Sequence, residues 1–516
     1  MATANNEFFE ALELLARWGE QNTNRALAIL ATGGDTAEAE KLLAVQSDYI
    51  RRRFDCSDFY LVYYPYILRT FGKRGSGILS EKTENELTDC LLGFRYWIDE
   101  PGNDAMWFWS ENHALMFHTC QLLAGELFPD EVFTNSGLTG RQMQAKAKNM
   151  LYDWFVTFRK EGFTEWNSSP YLPIDTLGFG SLYAFAQDPA MRELGREGMD
   201  FAYYLLAVHS QQGIFASSSG RTYIKEQFGN WSNCPSGLSW IGYGYGVPGH
   251  AGKGITSYCL SDYEPPKEFA QWFSIPRGKE MICQTTQGND GYVDLYTYKT
   301  ADYMMTSAND FHPGEPGHQE NPFQLTFNAV AQLWVTHPGE RVLFGAARPS
   351  YWAGNGTLPK VNQYKAFAGL IYDIAPEHPV DFTHLYLPLM EFDRCEVEGK
   401  WAFVQLGSAY AAVYCSNGMR MQDFGSNKDR ECIAEGRRCI WLVRAAQVDE
   451  FAAFEDFKAA MRGAALDADA EGRRYRFVDP VYGELRCQWG ETLYVNDAPM
   501  QYSGFDNYGK LTMQEK

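Results

Sequence analysis

The period of the apolar pattern changes once along this chain, near residue 275, and that change limits the fold more than any other feature. Before it, residues 8–19, 37–53, 84–97, 112–128, 140–160, 173–187 and 190–210 place apolar side chains at helical spacing. Short connections join several of these runs, and many runs are apolar on more than one face, so consecutive helical hairpins are expected. After it, short alternating stretches take over: "GYVDLYTYKT", "LTFNAVAQLWVTH", "KWAFVQLG", "AYAAVYCSNG", "RCIWLVRAA" and "YRFVDPVYG". Strands of this length, separated by Gly, Asn and Asp turns, predict antiparallel sheets packed as a sandwich. The expected organisation is α+β and multidomain, with a helical domain over 1–275 and a β domain over 276–516. The sequence shows no fixed-period repeat.

A chain of 516 residues exceeds one ordinary core, and its 45% apolar content excludes a disordered polymer. No run of about 18 apolar residues occurs, so no membrane span is expected. The opening "MATANNEFFEALELLARWGE" reads as an acidic amphipathic helix without a basic n-region, which predicts a cytoplasmic protein unless an export signal lies outside this sequence. Eleven cysteines without a CxxC pair predict reduced, mostly buried thiols. With 45 basic and 65 acidic residues the net charge is −20. That charge argues against a nucleic-acid partner and favours a neutral or small anionic ligand over a long polyanion.

Three stretches carry candidate chemistry. "GFTEWNSSPY" (162–171) crowds Glu165, Asn167, two serines and Tyr171 around Trp166 at the end of a helical run. Either these groups satisfy one another in a half-buried connection, or they line a cleft for something flat and hydroxylated. "FWSENHALMFHTC" reads as a helix capped by Ser110, with Glu111, Asn112 and His113 in its first turn. The helix N-terminus would keep His113 neutral beside a bound anion, although a capping or core role explains it equally. His118 and His209, inside apolar runs, read as core histidines. "SSSGRTYIKEQFGNW" sets Arg221, Tyr223 and Lys225 on one side if extended, a surface stack or a carboxylate clamp beside a phenol. His312, Glu315 and His318 are close in sequence, but the Pro and Gly residues between them make a rigid turn; no metal and no cofactor is expected.

Taken with the helical-hairpin-then-β organisation, "SENHALMFHTCQLLAGELFP", "GFTEWNSSPY" and "SSSGRTY" resemble the polysaccharide lyases and heparinase II/III-like proteins of the (α/α) toroid class. "DFHPGEPGHQENPFQ", "VTHPGE" and "YWAGNGTLPKVNQYK" look like segments of bacterial proteins related to that class. The resemblance implies a toroid followed by a β-sandwich, and β-elimination of a uronate-containing glycan without metal. It also implies roles. Asn112 and Asn167 would hold the sugar carboxylate, His113 would be base or neutraliser, Arg221 would fix the substrate, and Tyr223 or Tyr171 would be the acid. Trp166 would be a sugar-stacking platform, with Glu165, Glu226, His318 and Asn355 lining the substrate. The basic residues do not concentrate near these motifs, a departure from a lyase of highly charged glycans. Two other classes remain open at this level. A toroid glycoside hydrolase would draw two carboxyls from Glu111, Glu165, Asp175 and Glu226, and a carbohydrate-binding protein would have no base at its cleft.

Overall fold

The computed structural model describes residues 6–228, 233, 235–247, 253–288, 292–342, 351–354 and 356–516. They form two compact units. One comprises Met1–Arg159, Tyr171–Leu205 and Cys234–Phe269; the other comprises Lys160–Pro170, Leu206–Asn233 and Ala270–Lys516.

The first unit is helical: α1 (Asn6–Trp18), α2 (Thr23–Ala31), α3 (Thr36–Arg51), α4 (Ser57–Leu61), α5 (Tyr64–Phe71), α6 (Glu81–Gly93), α7 (Glu111–Leu127), α8 (Gly140–Glu161), α9 (Leu172–Phe185) and α10 (Pro189–Val208). A one-turn α11 (Ile224–Gln227) lies in the second unit, and α12 (Ser236–Tyr243) and α13 (Ile255–Cys259) return to the first. Side chains at the N-caps of α2, α3 and α6 start those helices: Asn22 accepts from the amides of Asn24 and Arg25, Asp35 from Ala37, and Ser80 from Thr83. The packing closes on itself. α1 contacts α2, α2 contacts α3, α3 contacts α6, α6 contacts α5, α5 contacts α7, α7 contacts α9, α9 contacts α13, and α13 returns to α1. That closed order is a ring, as expected of an (α/α) toroid. A second layer is joined by aromatic rings: Trp154, Phe155 and Phe158 of α8 meet Phe179 of α9, and Phe158 also meets Phe201 of α10. None of the described helices is long and apolar enough to cross a membrane.

The second unit is antiparallel β throughout its described strand pairs. One nine-stranded sheet runs edge to edge through Arg420–Met421, Glu431–Glu435, Phe382–Tyr386, Gln332–Thr336, Phe323–Thr326, Met304–Asn309, Val293–Lys299, Lys279–Gln287 and Lys510–Glu515. A six-stranded sheet runs through Arg394–Glu398, Trp401–Leu406, Ala409–Cys415, Arg438–Gln447, Phe367–Asp373 and Lys360–Tyr364. Their alternate residues meet in one core, with Tyr298, Met305, Leu325 and Val335 from the first sheet and Phe367, Leu370, Val413 and Trp441 from the second. This is the sandwich that the period-two pattern predicts. A five-stranded meander over residues 466–499 follows a helix, Phe454–Gly463, that alternation did not reveal.

The units are not the two contiguous blocks 1–275 and 276–516. Residues 160–170 and 206–233 belong with the strands, because their polar groups bond to strand residues: Ser218 N–H donates to Thr306 Oγ1 (2.7 Å), and Thr326 Oγ1 donates to the Ala216 carbonyl (2.8 Å). The ten described cysteines are free thiols, eight of them buried; Cys234 lies outside the described residues.

Candidate active site

Three segments of the β unit are laid side by side by hydrogen bonds, and six of the eleven residues to which the resemblance gives a role sit on them. The first begins where α8 stops. Gly162 takes a left-handed φ of +66°, the conformation that ends helices at least cost to glycine, and Gly288 N–H caps the Glu161 carbonyl at 2.9 Å. The chain then runs irregularly to Pro170. The second segment follows a two-residue hairpin, Ser210–Gln211 with Ile214–Phe215. The third is the turn over residues 316–321. Gly220 N–H donates to Trp166 O (2.7 Å), Ser168 Oγ to Arg221 O (3.0 Å), and Thr222 N–H to Gln319 O (2.9 Å); Ser219 and Asn321 exchange both backbone bonds. The serines of "SSSGRTY" are therefore connectors. Ser219 Oγ accepts from Arg221 N–H and donates to Arg221 O, which shapes the turn that presents Arg221.

On this frame Arg221 is half-buried between groups of both kinds. Its Nε lies 3.6 Å from Glu165 Oε1, and its guanidinium stands over the Tyr223 ring at 5.8 Å. His318 is exposed, and its backbone N–H donates to the Glu320 carboxylate. Burial raises the Glu320 carboxyl above its ordinary range, against the lowering effect of that bond and of the nearby Arg221 charge. Asn167 is 2% exposed and sits at φ +49°, a left-handed backbone tolerated by asparagine. Both atoms of its side-chain amide lack a protein hydrogen-bond partner. Gln319, in the facing turn, is also left-handed at φ +77°. Behind them, an amide network holds the turns: Asn321 Nδ2 and Gln227 Nε2 donate to Gln324 Oε1, and Gln324 Nε2 donates to Gln332 Oε1.

Five expected residues are not on these segments, and Trp166, which is, faces inward. Trp166 is no stacking platform. It is fully buried against Val293, Leu295, Ala308, Phe311 and Leu358, because its large ring fills the sandwich edge beneath the turn. Lys225 does not share a side with Arg221 and Tyr223, since the chain turns into α11 at Ile224; Glu226 is buried and pairs with Lys225 at 3.1 Å. Asn355 lies outside the described residues. Asn112, His113 and Tyr171 belong to the helical unit. Ser110 occupies the N-cap of α7, but its hydroxyl makes no capping bond and reaches Asn112 Oδ1 instead (3.4 Å).

Contrary to what its place suggested, the helix start does not set the basicity of His113. Burial opposes its charge, but the Asp58 carboxylate, 2.8 Å from Nδ1, outweighs burial and raises the imidazole to about 10. His118 and His209 are buried, and desolvation lowers each to about 3, so both are neutral core residues. His312 Nδ1 lies 3.4 Å from Glu315 Oε2. Among the described residues, the one group of three or more His, Cys, Asp or Glu placed to share a cation is Asp55, Cys56 and His113. Glu320 and Gln319 went unnoticed in the sequence. The Gly-rich turn that carries them is the signal that pointed there.

No protein-family model matches the chain, and no curated protein matches it. Two solved structures of heparinase III resemble its fold. One has TM-score 0.42 and 9% identity over 91% of this chain and 81% of its own. The other, a heparinase III gene product, has TM-score 0.41 and 10% identity over 100% of this chain and 91% of its own.

Proposed function

We propose that this chain is a carbohydrate-active enzyme that cleaves a uronate-containing glycan by β-elimination, at the three-segment site of the β unit. The observation that carries the reading is Asn167: a buried side-chain amide with no protein partner, held in a left-handed backbone beside the turn that presents Arg221. Buried polar groups are nearly always paired, and this amide, nearly as sealed from the surface as Trp166, is completed by a ligand only where the turn opens to admit it. Its donor face and the Arg221 guanidinium suit a carboxylate, whose second charge develops as the C5 proton leaves. His318, exposed on the adjoining turn, takes that proton. The C5–H pair becomes the C4=C5 double bond, the C4–O bond breaks, and the Tyr223 phenol protonates the departing oxygen. Asn112, His113 and Tyr171 are not needed for these steps.

Arg221 already faces Glu165 and Glu320, and the chain carries −20 overall. The substrate class that fits is a glycan with isolated uronates and few other charges, since a densely anionic chain would meet repulsion. The test compares free and methyl-esterified uronate oligosaccharides. Asn167→Ala should cut turnover of the free acid by roughly a hundredfold, and of the ester far less, because the ester carries no charge to hold. Equal losses on both substrates would remove Asn167 from carboxylate binding.

One observation favours a second reading. Glu320 is a carboxyl shifted toward its neutral form, as a glycosidase acid must be. A hydrolase needs a second, ionised carboxylate across the cleft, and Glu165 is the candidate on this frame. Glu320→Gln would abolish a hydrolase and leave a lyase with most of its rate.

A further inference from the structure

We infer that Asp55, Cys56 and His113 form a binding site for one zinc-class divalent ion in the helical unit, separate in its chemistry from the elimination site. Cys56 and Asp55 precede α4, and His113 stands in the first turn of α7. One donor atom from each of the three lies within 4.8 Å of the others, and His113 Nε2 is 3.9 Å from Asp55 Oδ1. A tetrahedral zinc ion with bonds of about 2.0–2.3 Å places its ligand atoms roughly 3.3–3.8 Å apart. Asp55, which is exposed, stands just outside that range from His113 Nε2, within reach of a side-chain rotation.

The imidazole is prepared for such an ion from its other side. Asp58, fully buried, holds Nδ1 at 2.8 Å, and Phe59 stacks on the ring at a centroid distance of 4.7 Å. This fixes the ring with Nε2 toward Asp55 and Cys56. A carboxylate on the far nitrogen is the usual companion of a metal-bound histidine. The donor set of thiolate, imidazole and carboxylate selects zinc or cobalt over magnesium or calcium, which take oxygen donors.

The same three groups could be taken for a nucleophilic cysteine with its base and orienting acid. The local charge argues against that. Asp55 and Asp58 both face the cluster, and the phenols of Tyr49 and Tyr60 lie within its electrostatic reach. Asp58 is engaged by His113, so the exposed Asp55 is the carboxylate left beside a Cys56 thiolate, and a divalent cation neutralises that thiolate and carboxylate together. With three protein ligands the fourth position is open to water.

The experiment uses the full chain, stripped with a chelator and then titrated with Co2+ and with Zn2+. One equivalent should bind. The cobalt form should show a thiolate charge-transfer band in the near ultraviolet, and Zn2+ should protect Cys56 from iodoacetamide, read by mass spectrometry of the Cys56 peptide. Cys56→Ser should remove the band, and Asp58→Asn should weaken Zn2+ binding by roughly 10- to 100-fold. Asp55→Asn changes an exposed side chain and keeps the test alive if Cys56→Ser fails to fold; it should weaken binding by at least about tenfold. The inference is overturned by absence of the band, by unchanged stoichiometry and affinity in Cys56→Ser and Asp55→Asn, or by a Cys56 that reacts equally fast with and without Zn2+.

Discussion

Gly220→Ala tests the contact that joins two of the three segments of the site. A Cβ at position 220 would lie 2.5 Å from Trp166 Nε1, 2.7 Å from Cδ1 and 2.8 Å from Cε2, well inside contact distance. The ring cannot swing aside, because Trp166 is fully buried, with its edge on Phe311 at 5.6 Å. Inserting one methyl into such packing costs about 1–3 kcal/mol. Residue 220 is not in the left-handed region, so alanine itself is unstrained there. Stiffening of the unfolded chain returns about 0.4–1 kcal/mol, which leaves a net loss of roughly 1–2 kcal/mol. The functional effect should be larger. Asn167 is the next residue after Trp166, and a shift of about 1 Å in a positioning group costs on the order of a hundredfold in turnover. Urea unfolding gives the first quantity and initial rates give the second. Trp166→Phe removes the atoms that the new methyl meets, so the double variant should be about 1 kcal/mol more stable than the sum of the single effects predicts. Strict additivity, or wild-type stability and turnover in Gly220→Ala, would refute the packing argument.

Tyr223→Phe keeps the ring under Arg221 and removes the proton donor; turnover should fall by roughly a hundredfold or more, with the urea midpoint unchanged. Burial lowers the Lys299 ammonium from 10.5 to about 7. Between those values the unfolded chain holds a proton that the folded chain has released. Lys299 therefore destabilises fully below pH 7, and stability recovers by up to about 5 kcal/mol as pH rises toward 10.5; denaturant titrations across that range should lose this rise in Lys299→Met. Arg444 is buried between Asp479 (2.7 Å) and Glu450 (2.6 Å), so Arg444→Met should cost about 3–5 kcal/mol in the same assay by leaving two carboxylates without it.

The long helices were legible because each needed only its own spacing. The run 112–128 corresponds to α7 at Glu111–Leu127, and 140–160 to α8 at Gly140–Glu161. The short helices α4 and α5 were missed, since helices of five and eight residues are too short to show a resolvable period. Periodicity also could not assign 160–170 and 206–233 to the β unit, because that membership rests on hydrogen bonds to strands far along the chain. The same holds at the site. The residue types of "GFTEWNSSPY" and "SSSGRTY" singled out two segments that the fold lays side by side, but which rings face the core depends on tertiary neighbours; Trp166 turns inward against Phe311, 145 positions later in sequence. His113 was read from its helix start alone, and the partner that sets its charge, Asp58, lies 55 residues away.

The central claim is elimination of a uronate at the three adjoining segments that carry Asn167, Arg221 with Tyr223, and His318. Its most direct measurement is continuous ultraviolet absorbance of uronate-containing oligosaccharides incubated with the full chain, with reducing ends counted in parallel. A conjugated 4,5-unsaturated product should appear in step with each new reducing end, and should nearly vanish in His318→Ala and Tyr223→Phe. New reducing ends without a gain in absorbance, undiminished in those two variants and lost in Glu320→Gln, would contradict elimination and identify a hydrolase.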